Sequence, residues 1–260
     1  MVRKRIDQVL VERGLAESRH KAQALVLAGQ VLVDEQKADK PGRLVAEEAP
    51  IRILGTMPFV SRAGGKLAAA LDQFGIPAAG RICADLGAST GGFTDCLLQR
   101  GALQVHAYDV GRGQLAWKLR TDPRVVVHDG FNVRYVKAAD LPDGVSLVTA
   151  DLSFISLTLI LGPLREALLP RVGPPPGGAW RADLVFLVKP QFEVGKGEVG
   201  KGGIVRDPHL RKRALDRVIE AAEAAGFEVA GTMASPVPGA EGNEEFLLYA
   251  RLFPDLSSEP

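Results

Sequence analysis

One stretch limits the fold more than any other: Ala84-Asp85-Leu86-Gly87-Ala88-Ser89-Thr90-Gly91-Gly92-Phe93-Thr94, a glycine-rich turn entered from the apolar run Arg81 to Ala84. An acid closes a predicted strand, small residues make a turn, and a predicted helix runs from Phe93 to Gln99. In that order they open a nucleotide-binding α/β sheet, because backbone without a Cβ can approach a ligand closely. The dinucleotide fingerprint G-x-G-x-x-G is not met, since Ser89 stands two positions after Gly87. A second acid, Asp109, ends the next predicted strand, Gln104 to Tyr108, where it can bind a ribose diol. Such a site cradles no phosphate, which suits S-adenosylmethionine better than NAD. A merely tight strand-to-helix turn explains the glycines equally well, so the reading needs other residues.

Those residues come from four distant segments. Ser61-Arg62-Ala63-Gly64-Gly65-Lys66-Leu67 precedes the sheet, and Ala150-Asp151-Leu152-Ser153-Phe154-Ile155-Ser156 follows a predicted strand from Ser146 to Ala150. Leu187-Val188-Lys189-Pro190-Gln191-Phe192-Glu193 ends another strand, and Gly242-Asn243-Glu244-Glu245-Phe246-Leu247 enters the last. Asp151 and Lys189 thus sit at carboxyl ends of strands, where open α/β sheets place their ligands. A lysine closing the apolar run Leu184 to Val188 is costly unless it is paired or functional. The competing explanation is a structural ion pair capping the sheet.

Taken together, the motifs S-R-A-G-G-K-L, D-L-G-A-S-T-G-G-F-T, A-D-L-S-F-I-S, K-P-Q-F-E and G-N-E-E-F resemble those of the TlyA-type ribosomal RNA methyltransferases, in order, from about Arg5 to Leu252. The resemblance implies a Rossmann-like α/β sheet with helices on both faces, an S-adenosylmethionine-dependent methyltransferase of the FtsJ-like kind. It also implies a small N-terminal S4-like α+β RNA-binding domain. The implied reaction is 2′-O-methylation of a ribose, of cytidine, in ribosomal RNA or a ribosomal subunit. Carried over residue by residue, Lys66, Asp151, Lys189 and Glu245 form the catalytic tetrad, with Lys189 as base; the G-N-x-E spacing selects Glu245 over Glu244. Gly91, Phe93, Asp109, Asp129 and Asp151 match cofactor-contact positions, Asp129 toward the adenine. Asp85, Gly87 and Gly92 of the glycine loop complete the expected cofactor set, and no metal is implied. Asn132 and Asn243 are the chain's only asparagines, each in a motif-like segment, which points to a need for their hydrogen bonding.

The first 55 residues read as a separate unit. Ile6, Val9 and Leu10 fall at helical spacing with Gly14 after them, Ser18 can cap a second helix that ends at Gly29, and Val31/Val33 and Ile51/Ile53 alternate as strands. The run from Arg5 to Arg19 resembles an S4 domain, except that Asp34-Glu35 stands where that family often has Asn-Gly, so this turn is expected to differ in shape. Six basic residues against three acids between Met1 and Lys21 make Arg3, Lys4, Arg5, Arg19 and Lys21 the expected phosphate grip. The boundaries read as 1–55 for this domain, 56–60 for a proline-marked linker, 61–254 for the methyltransferase domain and 255–260 for a tail. Between Lys189 and Arg213, seven basic residues and five glycines face three acids. Lys196, Lys201 and Arg206 are therefore expected on RNA backbone. The near-match to a phosphate loop at Gly195–Gly202 fails because Gly202 replaces the magnesium-binding hydroxyl.

Composition limits the alternatives. A net charge of +1 announces no global basic field, and two cysteines, Cys83 and Cys96, build neither a tetrahedral metal site nor a disulfide framework; both read as small buried hydrophobes. The segment Met1 to Arg13 is basic and amphipathic rather than a signal peptide, and the most apolar stretch, Leu152 to Leu161, is too short to span a bilayer. A cytoplasmic enzyme without a membrane partner is expected. A non-catalytic ribosome-assembly factor would not need the tetrad, an S4-bearing pseudouridine synthase would need another catalytic fold, and a membrane-lytic haemolysin would need an apolar amphipathic helix.

Overall fold

The computed structural model describes residues 3–27, 29–53, 58–173, 176–177, 181–195, 197–239 and 242–253. Residues 56 and 57 of the expected linker 56–60, Lys196 and the tail 255–260 lie outside them. The chain forms two compact units, Met1–Met57 and Pro58–Pro260.

The N-terminal unit runs β1 (Arg3–Arg5), α1 (Ile6–Glu12), α2 (Arg19–Leu27), β2 (Val31–Val33), β3 (Gln36–Lys37), β4 (Leu44–Ala46) and β5 (Ile51–Ile53). Strands β1 and β4 pair antiparallel, and a second sheet has the order β3-β2-β5. Ile6, Val9 and Leu10 of α1 meet Ala22 and Val26 of α2 and Val31 and Val33 of β2 in one small core. Ser18 Oγ accepts the Lys21 N–H at 3.2 Å, one of the orphan donors at the start of α2. Asp34 and Glu35 corner the hairpin between β2 and β3 at φ +52° and +60°. The altered shape expected there is absent: both residues adopt the left-handed conformation that Asn-Gly takes without strain in a type I′ turn.

In the second unit α3 (Ala63–Phe74) leads into β6 (Ile82–Leu86), α4 (Gly92–Gln99), β7 (Gln104–Asp109), α5 (Trp117–Arg120), β8 (Val125–Asp129) and β9 (Val145–Ala150). Then follow α6 (Leu161–Leu168), β10 (Ala182–Val188), α7 (Pro190–Glu193), α8 (Pro208–Ala224), β11 (Glu228–Ala234) and β12 (Phe246–Leu252). The seven strands order as β11-β12-β10-β9-β6-β7-β8, parallel except that β12 runs antiparallel between β10 and β11. Alternation along the buried strands sends side chains to opposite faces. Leu184, Phe186 and Val188 of β10 join the core beneath α6 and α8, while Val185 and Leu187 join the core beneath α3 and α4. Helices therefore cover both faces, as expected. Phe59 and Val60, placed in the linker by sequence, pack on the α3/α4 core, and the Val60 N–H donates to Asp95 Oδ2 at 2.8 Å. They belong to this unit. Strand order reverses at β6, which has β7 on one side and β9 on the other, and ligands of such sheets bind outside the strand ends at that switch.

Candidate active site

Register brings residues of the expected tetrad to one edge. Val188 of β10 pairs with Phe246 of antiparallel β12, so Lys189, just past one strand, and Glu245, just before the other, emerge at the same edge. Because β10 runs parallel to β9, this is also the edge where Asp151 leaves β9. Pro190 at the first position of α7 turns the chain sharply after Lys189. Lys189 Nζ lies 2.6 Å from Asp151 Oδ1 and donates to Ser153 Oγ at 2.9 Å. Lys66, on α3, reaches Glu245 Oε2 at 2.5 Å, and the residues are only 7% and 3% exposed. Glu244 instead turns outward to Arg211 at 3.0 Å. Asn243 fastens the neighbouring loop: its Oδ1 accepts the Val205 N–H at 3.1 Å and its Nδ2 donates to Gly203 O at 2.9 Å. Asn132 caps a 3-10 turn, Val133–Tyr135, by accepting the Arg134 N–H.

Beside Asp151 opens a cavity of about 650 Å³ lined by Gly87, Ser89, Asp109, Phe131, Asp151 and Phe154 among others, within the size range of small-molecule sites. A smaller recess of about 100 Å³ continues past Gly87 to Gly92, Phe93 and Ser61. Gly87 has φ +83°, and a Cβ there would meet the Asp151 carbonyl oxygen at 2.6 Å. Only glycine lets the loop lie this close to β9. Asp109 Oδ2 accepts the Ser89 N–H at 2.8 Å and its Oδ1 the Gly111 N–H at 2.7 Å. With about four lone-pair sites on a carboxylate, both oxygens keep acceptor capacity toward the cavity. A fixed acid for a ribose diol, a glycine wall and a glycine-loop recess with no basic side chain among its lining residues fit S-adenosylmethionine, which brings no phosphate; the one basic residue named on the larger cavity's wall is Arg134.

Three expected cofactor residues stand elsewhere. Asp85 is fully buried beneath the loop, its oxygens accepting from Thr94 Oγ1 at 2.6 Å and Thr149 Oγ1 at 3.0 Å, so it braces the loop instead of touching a ligand. Burial pushes its carboxyl up to about 7, against the two threonine hydrogen bonds. Gly91 starts α4 at φ +96°, where a Cβ would strike Leu119 Cδ1 at 2.3 Å; it serves packing. Asp129 pairs with Arg120 at 2.5 Å and accepts the Gly113 N–H at 3.2 Å, outside the cavity wall; the arginine holds its carboxyl below the usual range. Phe131 and Asn132, just beyond it, reach the wall in its place.

The expected RNA grip is more neutralised than charge counting implies. Lys4 bonds Glu12 and Glu47, each at 2.9 Å, and Lys21 bonds Glu17. Arg5 and Arg19 share the buried carboxylate of Asp7, which Gln23 also holds at 2.9 Å. Two guanidiniums on one acid leave net positive charge, and Arg3 is exposed. In the second unit Lys201 and Arg206 are exposed, whereas Arg213 bonds Glu198. Sequence reasoning missed Asp7, Ser153 and the exposed aromatics on the cavity rim, Tyr135 (67% exposed) and Phe154 (92%). Ser153 and Phe154 were legible only as parts of the A-D-L-S-F-I-S motif; nothing singled out Tyr135.

Residues 59–252 match the family of FtsJ-like methyltransferases, and residues 4–51 match the S4 domain. The chain belongs to the FtsJ-like methyltransferase family, in its TlyA-type, S4-bearing branch. It is a methyltransferase whose methyl donor is S-adenosylmethionine. It is 48% identical over 252 residues to the 16S/23S rRNA (cytidine-2′-O)-methyltransferase TlyA of Mycobacterium tuberculosis, covering 96% of this chain and 90% of that protein. It is 41% identical to Hemolysin A of Brachyspira hyodysenteriae, covering 94% of this chain and 98% of that one. A solved structure described as a "Putative hemolysin" from Streptococcus thermophilus superposes with a TM-score of 0.72 at 38% identity, covering 99% and 93% of the two chains. Among the described residues, no helix is long and apolar enough to cross a membrane.

Proposed function

We propose that this chain methylates the 2′-hydroxyl of a cytidine ribose in ribosomal RNA, with Lys66, Asp151, Lys189 and Glu245 as its catalytic tetrad. The observation that carries the reading is the Lys189 amine, held by Asp151 and Ser153 at the edge of a cavity suited to S-adenosylmethionine. When bound, that cofactor supplies an electrophilic methyl group on a positively charged sulfur. A ribose hydroxyl is a weak nucleophile, so the protein must align it and take its proton as it attacks. Asp151 and Ser153 orient Lys189 Nζ, whose lone pair, once the ammonium has given up a proton, accepts the hydroxyl proton. Asp109 binds the cofactor's ribose diol. The buried Lys66–Glu245 pair braces the strand end behind the base. Exposed Phe154 and Tyr135 on the cavity rim support an unstacked nucleobase as part of the substrate, since such bases stack on aromatic rings. The S4 unit, with Arg3, Arg5 and Arg19, grips structured RNA through phosphates. The cytidine and the ribosomal target rest on the named activity of the Mycobacterium relative.

The test is mass spectrometry of ribosomal RNA from cells with and without the gene. A ribose methyl on cytidine should vanish with the gene and return on complementation with the wild-type protein but not with Lys189→Ala. An unchanged methylation pattern would overturn the reading.

A further inference from the structure

Asp151 and Lys189 belong to two motifs that run side by side past the strand ends, and these motifs are joined at more than the ion pair. Lys189 sits just before the four-residue helix α7, and Glu193 ends that helix one turn later. Asp151 likewise begins a loop that ends at Ser156, the capping residue of the 3-10 turn Leu157–Leu159. The far ends meet as closely as the near ends. Glu193, 3% exposed, accepts from Ser156 Oγ at 2.5 Å and from the Leu157 N–H at 2.8 Å. Between them the rings of Phe154 and Phe192 lie 5.3 Å apart. Phe154 holds φ +64°, a left-handed conformation that a bulky residue keeps only where its surroundings enforce it. The loop carrying Asp151 and Ser153 is therefore clamped at both ends to the turn carrying Lys189.

We infer that Glu193 is a positioning residue for methyl transfer: by pinning Ser156 and Leu157 it fixes the loop that presents Asp151 and Ser153 to Lys189. The inference rests on the reading of Lys189 as the base. Hydrogen-bond direction defines how it acts. Burial raises the Glu193 carboxyl while the bonds from Ser156 and Leu157 oppose that shift; when ionised it can only accept, so Ser156 spends its single proton on Glu193, and the 2.7 Å contact between Ser156 Oγ and Thr158 Oγ1 is donated by Thr158. A glutamine can keep the clamp with this relay reversed: its carbonyl accepts the Leu157 N–H, its amide donates to Ser156 Oγ, and Ser156 donates to Thr158. Alanine can keep none of it.

The experiment measures kcat and KM on ribosomal RNA, together with calorimetric binding of S-adenosylhomocysteine, for Glu193→Ala, Glu193→Gln, Ser156→Ala and the Ser156→Ala/Glu193→Ala double variant. Glu193→Ala should lose about 10- to 100-fold in kcat, the scale of a displacement of about 1 Å at a reacting group, with KM for RNA nearly constant. Glu193→Gln should recover most of that loss, and the double variant should be no worse than the poorer single, since both singles already remove the shared Ser156–Glu193 contact. Additive losses, a glutamine variant as poor as alanine, or an alanine variant with wild-type kcat would each overturn the inference. Should Glu193→Ala not fold, Glu193→Gln and Ser156→Ala carry the test: a large kcat loss in the serine variant with little in the glutamine variant supports it, and the reverse overturns it. Lys189→Ala, run alongside, keeps the two readings apart. Its retention of activity would defeat the base assignment, whereas an inactive Lys189→Ala beside a fully active Glu193→Ala would defeat only the clamp.

Discussion

Lys66→Ala should separate what the buried Lys66–Glu245 pair does for the fold from what it does for chemistry. Glu245 is 3% exposed and its Oε2 lies 2.5 Å from the ammonium, so deleting Lys66 leaves a carboxylate that neither water nor another cation can reach without rearrangement. Removing one partner of such a pair costs about 3–5 kcal/mol, because the survivor keeps its desolvation penalty and loses its compensation. For a unit of this size each kcal/mol moves Tm by about 2–4 °C, so Lys66→Ala should melt roughly 6–20 °C below wild type. Replacing both partners tests the source of that loss. Lys66→Met with Glu245→Leu buries no charge and should regain most of the stability, as exchanges of buried ion pairs for apolar residues commonly do. If the pair braces the catalytic edge as proposed, the double variant should still be deficient in methyl transfer despite its restored Tm. Calorimetric melting and turnover on ribosomal RNA, taken on the same preparations, decide the matter. A Tm for Lys66→Ala within about 2 °C of wild type would refute the burial argument. Wild-type turnover by the stable double variant would remove both residues from the mechanism.

Three further outcomes follow from particular contacts. Lys189→Arg should be almost as inactive as Lys189→Ala in a methyl-transfer assay, because a guanidinium stays protonated and cannot take the hydroxyl proton; substantial turnover by the arginine variant would reduce Lys189 to a structural cation. Asp85, whose folded carboxyl is pushed up to about 7, keeps its proton in the fold between about pH 4 and 7, where the unfolded chain has lost it. Its contribution therefore makes stability fall as pH rises from about 4 to 7 and level off above that, and Asp85→Asn should flatten this segment of a denaturation-versus-pH series; identical slopes in the two proteins would contradict the assignment. Asp34→Asn with Glu35→Gly should stabilise the N-terminal unit by about 1–2 kcal/mol and so raise its urea midpoint, because both positions hold left-handed backbone; a lower midpoint would show that the strain is absent or that the exposed Glu35–Arg52 pair outweighs it.

Legibility in the sequence followed physical range. The strands of the second unit were readable because both sheet faces are covered, which leaves near-continuous apolar runs such as Leu184 to Val188 bounded by charge. The shared edge from which Lys189 and Glu245 emerge was not: it depends on β12 entering antiparallel between β10 and β11, a pairing that local pattern does not encode. Choosing Glu245 over Glu244 rested on motif spacing, and the structure supplies the physical ground, one side chain facing Lys66 and the other Arg211. The expected cofactor residues found off the cavity wall share a cause. Asp85 and Gly91 lie in the glycine loop, but proximity in sequence does not say which atoms face a ligand and which face Thr149 or Leu119. Counting basic residues likewise does not show which of them are paired, since Lys4 finds its acids at Glu12 and Glu47, the second far along the chain.

The two ion pairs of the tetrad differ in a way that bears on the order of events. Lys66 and Glu245 are sealed, with side chains 9% and 2% exposed, and a charge leaving either one would strand the other. Lys189 and Asp151 are more open, at 12% and 18%, and Ser153 gives the ammonium a neutral second partner. On the proposed mechanism a base exchanges its proton with solvent between turnovers, which suits the more open pair and leaves the sealed pair to hold the strand end in place. Glu193 extends the same division to the loop: it is buried, bonded on both oxygens and one helical turn from the base, placed to hold the open pair without taking part in its proton exchange. On this arrangement Lys189 variants should change chemistry with little change in stability, Lys66 variants should change both, and Glu193 variants should change kcat in proportion to the hydrogen bonds they lose. Three different signatures from three residues around one strand end would distinguish a built catalytic edge from a chance cluster of ion pairs.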